Sequence, residues 1–171
     1  MHAREGNTAR RILVPITAGA FADGALAATS AARIARKTGG ILRLAYLAPL
    51  PPPRVDRHDR VVADRDREMA RIGEAAQARL DRLAVRLEGV LVETVIRFGR
   101  PATELSIEAA AFGADLIALA APMRSRILER VRAWQLRRAA LGSKAPLILL
   151  PPAATPTGPQ SGNAVTVPAL R

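Results

Sequence analysis

Side chains able to do acid–base or metal chemistry are few in this chain. Only two histidines occur, His2 and His58, both in polar stretches, and cysteine is absent. Without thiolates there is no disulfide framework, no thiolate metal site and no thiol nucleophile. Two isolated histidines leave almost no raw material for a metal centre or a catalytic triad. No Asp or Glu stands at a strand end beside a matching acid or a histidine, so no catalytic residue and no metal ligand is assigned. What the chain has in excess is guanidinium. Of 26 basic residues 24 are arginine, and the formal net charge is +11. Such a surplus suits a partner rich in phosphate or carboxylate. It is densest at 122–144, where Arg124, Arg126, Arg130, Arg132, Arg137, Arg138 and Lys144 stand against Glu129 alone. On one helix, Arg126, Arg130 and Arg137 fall within about 40° of one another. Stacking side chains are scarce (three Phe, one Trp, one Tyr), so nucleic-acid binding is expected only as a weak, non-specific attraction.

These residues must be positioned by regular elements, and the apolar pattern supplies them. Arg11 to Ile16 is a short apolar run that reads as a buried strand. Ala20 to Lys37 is alanine-rich, with Phe21, Leu26 and Ile34 spaced for one buried face, and Gly39-Gly40 ends it as a helix terminator. Ile41 to Leu47 reads as the second strand, closed by the proline run 49–53. Arg54 to Arg71 carries six arginines against five acids, a solvated, near-neutral stretch. Met69, Ile72, Ala76, Leu80, Leu83 and Leu87 then recur at helical spacing up to Gly89.

Val90 to Ile96 is the third strand, and Pro101 to Phe112 a helix with proline at its first position. Asp115 to Ala120 and Pro146 to Leu150 are the fourth and fifth strands, with 124–141 helical by composition, as a single helix or as a turn followed by a helix. Near-continuously apolar strands alternating with helices imply a parallel sheet covered on both faces, an α/β fold. Residues 1–10 read as a polar extension and 152–171, rich in Pro, Thr, Gly and Ser, as a flexible tail. At 171 residues and 49% hydrophobic, the chain fits one domain, 11–151. No apolar run reaches ten residues, against about 18 for a membrane span, and the polar start is unlike a signal peptide. A cytoplasmic protein is expected.

Arg11-Ile12-Leu13-Val14-Pro15, the helix ending at Gly39, and Leu42 to Pro49 resemble the opening βαβ unit of the universal stress protein family. Phe98-Gly99-Arg100-Pro101-Ala102 is similar to that family's turn before its third helix, Gly113 to Ile117 to the approach to its fourth strand, and Ala145 to Leu149 to its last strand. The resemblance spans about Arg11 to Pro151. It implies a single-domain, Rossmann-like three-layer α/β/α fold with a five-stranded parallel sheet in the order 3-2-1-4-5. Many members bind ATP through Gly-x2-Gly-x9-Gly-Ser/Thr after strand four. In that register the positions here hold Ala120, Met123, Ala133 and Trp134, and the aspartate usual after strand one is Thr17. Glycine lets backbone N–H groups approach phosphate, and alanine, methionine and tryptophan do not.

The expectation is therefore a non-enzymatic stress-response or regulatory domain without a cofactor, acting as a homodimer through Pro146–Leu150 and through an unidentified protein partner. Proline at 151 and 152 shortens the strand available for pairing. Two alternatives stand beside it. One is a nucleotide- or anion-binding member with a rebuilt cradle, its crevice lined by Pro15, Thr17, Ala120, Met123, Arg124, Ser125, Ala133 and Trp134. The other is a basic surface for nucleic acid or an acidic partner.

Overall fold

The computed structural model describes residues 10–52, 54–55, 61–120 and 146–150. Its elements run β1 (Arg11–Thr17), α1 (Phe21–Thr38), β2 (Ile41–Ala48), β3 (Arg54–Val55), β4 (Val61–Ala63), α2 (Arg65–Val85), β5 (Leu91–Phe98), α3 (Pro101–Phe112), β6 (Leu116–Ala120) and β7 (Leu147–Leu150). Five strands form one sheet in the order β5-β2-β1-β6-β7, all pairs parallel. Counting that sheet's strands in chain order, this is 3-2-1-4-5, as the resemblance implied. The helical segment expected over 124–141, the extension before residue 10 and the tail after 151 lie outside the described residues.

Strand alternation divides the core in two. Ile12, Val14, Ile16, Leu42, Leu44 and Tyr46 face α1 and α2, while Leu13, Ala45, Leu47, Ile117 and Leu119 face α3. On α1 the structure corrects the expected face. Phe21 and Ile34 pack only along its margin and Leu26 is half-buried; the buried stripe is Gly24, Ala27, Ala28, Ala31, Ala32 and Ala35. The reason is distance. A Cβ on Gly24 would come within 2.8 Å of Ile16 Cγ1, so only small residues let the helix approach β1 this closely.

The 54–71 stretch also differs from expectation. β3 and β4 pair antiparallel, and α2 begins at Arg65 because the Asp64 carboxylate accepts the Arg67 N–H at 2.9 Å, an N-cap. Further on, Ala76, Leu80 and Leu83 are buried as the helical spacing predicts, while α2 ends at Val85, short of Gly89, and Leu87 is buried just beyond it. Gly39 and Gly113 close α1 and α3 at φ of 64° and 63°, a conformation that favours glycine.

Beneath α3 lies an ionic network. Glu108, buried on that helix, accepts from Arg43 Nη1 at 2.7 Å and from Arg97 Nε at 2.8 Å, with Arg97 Nη2 at 2.6 Å. Arg43 also reaches Glu93, with Nε at 2.9 Å and Nη2 at 2.5 Å, and stacks on Phe112 at 4.1 Å from the ring centroid. Burial works against the Arg43 charge, but hydrogen bonds and charge from Glu93 and Glu108 outweigh it and raise the guanidinium pKa above its ordinary value.

Candidate functional site

In an open parallel sheet, ligands favour the carboxyl ends of the strands where the order reverses. Here that point lies between β1 and β6. β1 pairs with β2 along its whole length, but with β6 its register is confined to Ile12–Leu116 and Leu13–Ile117. The amino ends of these two strands are clamped together: Asp115 Oδ2 accepts the backbone N–H groups of Arg10 and Arg11, each at 2.9 Å, and the Asp115 N–H donates to the Arg11 carbonyl. Their carboxyl ends carry no such tie among the described residues.

Three of the expected crevice residues are placed there. Pro15 is buried near the end of β1, Thr17 is its half-buried last residue, and Ala120 is the last residue of β6. Met123, Arg124, Ser125, Ala133 and Trp134 lie outside the described residues. Thr17 leads into a short 3₁₀ turn, Ala18–Ala20, and its hydroxyl makes no capping hydrogen bond. α1 starts after Ala20, again without a side-chain cap. Pro15 has no N–H to offer a phosphate, Thr17 offers one hydroxyl, and position 120 is alanine where the family pattern has glycine. Among the described residues, this end of the sheet thus offers polar contact but neither a nucleophile–base pair nor a carboxylate dyad. Among the described residues no group of three His, Asp or Glu could hold a metal ion, and no helix is long and apolar enough to cross a membrane.

A second concave feature is lined by a different set of residues. Phe21 at the start of α1 and Arg79, Arg82, Leu83 and Arg86 on α2 and its C-cap line a depression of about 180 Å³. The guanidinium carbon of Arg79 sits 3.9 Å from the Phe21 ring centroid. The 79/82/86 spacing puts the arginines on one helical face, a signal present in the sequence; Phe21 comes from another element and could not be anticipated.

Comparison with known proteins places these features. A crystal structure of a universal stress protein family member from Burkholderia pseudomallei superposes with a TM-score of 0.62 at 20% identity, covering 86% of this chain and 99% of that one. Universal stress protein UspA from Lactobacillus plantarum gives 0.57 at 23% identity, with 87% and 99% covered. A universal stress protein crystallised in complex with cAMP gives 0.56 at 17% identity, with 85% and 98% covered. Comparison with curated protein sequences gives no match. The model of the universal stress protein family matches residues 8–151, spanning all five strands of the sheet, and the chain belongs to that family.

Proposed function

We propose that this domain is a member of the family that has given up the ATP cradle and works through protein contacts, as a homodimer, without turning over a substrate. One observation carries the reading. The residues at the family's nucleotide positions, Thr17 at the end of β1 and Ala120 at the end of β6 with Met123, Ala133 and Trp134 beyond it in sequence, lack every glycine, the hydroxyl and the carboxylate of the ATP pattern. Each lost charge-assisted hydrogen bond removes roughly 1.5–3 kcal/mol, so losing two or three takes a micromolar complex into the millimolar range or beyond. Arginine side chains supply attraction but do not rebuild a nest of backbone N–H groups. Dimerisation is supported by the position of β7, an apolar strand at the edge of the sheet whose outer backbone groups have no partner among the described residues.

A second reading, a nucleotide held in a rebuilt cradle, is favoured by the cAMP-bound structure of the same fold and by the limited pairing of β1 with β6. Calorimetry separates the two. Mg-ATP and cAMP are titrated into the native chain and into the variant Ala120→Gly, Met123→Gly, Ala133→Gly, Trp134→Ser. The proposal expects no binding to the native chain below millimolar ligand. Low-micromolar ATP or cAMP binding by the native chain, or a nucleotide released from the purified protein on denaturation, establishes the second reading. Light scattering tests the dimer, with about twice 18.2 kDa expected at micromolar protein and a clean monomer rejecting it.

A further inference from the structure

The depression between α1 and α2 holds three guanidinium groups and no acid. Arg79, Arg82 and Arg86 are all exposed and make no ion pair among the described residues. The acid adjacent in sequence, Asp81, accepts from Gln77 Nε2 at 2.7 Å, and Gln77 in turn reaches Thr94 Oγ1 on β5 at 3.0 Å. Asp81 is thereby held on the β5 side of the helix, one residue and about 100° from Arg82. By contrast Arg43, Arg71 and Arg97 each have a carboxylate partner. Three uncompensated cations on one face repel one another, so the arrangement gains most from an anion that bridges them.

The geometry points to an oxyanion site here, for a small, multiply charged phosphate compound. Leu83, buried between the arginines, forms an apolar floor. The Phe21 ring holds the Arg79 guanidinium by a cation–π contact, which takes up the face of the group and leaves its N–H edge free to donate. A planar fork with fixed donors matches phosphate oxygens two at a time. The volume, about 180 Å³, accepts one or two phosphate groups and is below the roughly 300–1,000 Å³ that drug-sized ligands occupy. Arg82 lies in the last turn of α2, where the helix dipole alone favours a cation. That effect accounts for neither Arg79, more than a turn before the helix end, nor its seat on Phe21.

The test uses the full chain, with sodium pyrophosphate and glycerol phosphate titrated separately at about 0.1 M salt, where screening over about 10 Å suppresses a diffuse positive field. Saturable binding of at least one is expected. Tighter binding of pyrophosphate assigns the site to free polyphosphates, and of glycerol phosphate to phosphomonoesters. The double variant Arg79→Gln, Arg82→Gln should weaken it tenfold or more, and Phe21→Leu several-fold. Arg65→Gln removes one arginine charge at the other end of α2, and Thr17→Val alters the crevice; both should change the affinity less than twofold. A thermal midpoint that rises with the anion in the native chain, but not in the double variant, checks the site independently of heats. The proposal is overturned by no saturable binding, by R65Q weakening it as much as the double variant, or by loss in T17V.

Discussion

Replacing Glu108 by glutamine tests whether the ionic network under α3 holds the second half of the core together. The change keeps the shape of the side chain and removes one negative charge where the side chain is only 2% exposed. Arg97 then loses its carboxylate partner while 34% exposed, and Arg43 keeps only Glu93. The new amide also turns an NH2 group toward one of two arginines that can only donate. Breaking a fully buried pair costs about 3–5 kcal/mol, and the partial exposure of both arginines puts the expected loss near the lower end, about 3 kcal/mol. For a chain of this length that is on the order of 6–12 °C in Tm. Glu93→Gln is the comparison, because Glu93 is 40% exposed and its loss should be about 1 kcal/mol or less. Urea unfolding followed by circular dichroism measures both, with unchanged m-values showing that the same surface is exposed. If Glu108→Gln costs no more than Glu93→Gln, burial is not what gives this network its weight. Replacing the three groups nearest the helix by apolar residues, Glu108→Leu with Arg43→Met and Arg97→Met, should recover most of the loss, since the charge then left without its partner is Glu93, 40% exposed, and none is left buried.

Three further outcomes follow from single contacts. Gly24→Ala should destabilise by about 1–2 kcal/mol in the same unfolding assay, because a Cβ 2.8 Å from Ile16 Cγ1 overfills the interface by more than alanine's helix preference returns. Gly113→Ala should cost about 1 kcal/mol through its φ of +63°, whereas Gly73→Ala, on α2 with nothing within 4 Å of the added carbon, should be neutral or slightly stabilising. Asp115→Ala should lower stability by about 1–2 kcal/mol and speed amide hydrogen exchange at residues 10 and 11, whose N–H groups lose their acceptor; unchanged protection at both would contradict the clamp.

The sheet was legible because its strands are largely apolar and the crossovers among the described residues contain helices with readable ends: Gly39 and Gly113 close two of them, and Pro101 opens one. What escaped the sequence has physical reasons. Hydropathy ranks Phe21, Leu26 and Ile34 above alanine, but a helix lying this close to a strand selects small side chains, so the buried stripe ran through residues of lower rank. The β3–β4 pair has too few residues for any period to register. Arg43 between Leu42 and Leu44, and Glu108 between Ile107 and Ala109, were each visible as a charge in an apolar run. Their 65-residue separation hid that they were each other's partners. Of the candidate crevice, Pro15, Thr17 and Ala120 fell at the expected strand ends because strand boundaries alone determine them. The arginine depression needed the phase of α2, set by burial of Leu80 and Leu83, and then a ring from a different helix.

The alanine stripe on α1 has a consequence for how this domain can drift in sequence. Most cores fail by losing volume, and a truncated side chain can be tolerated when neighbours relax. Ala27, Ala28, Ala31, Ala32 and Ala35 have almost nothing to lose in that direction, so the interface tolerates little change upward in size. A single base change in an alanine codon yields only Ser, Thr, Pro, Val, Gly, Asp or Glu. Of these, Val and Thr add bulk, Asp and Glu bring a charge into an apolar seam, and Pro and Gly weaken the helix. Serine alone is close in size, and its hydroxyl can return to a carbonyl one turn back. One helix of this domain is therefore a place where nearly every point mutation is felt, and where the record of descent should read as alanine, serine and little else.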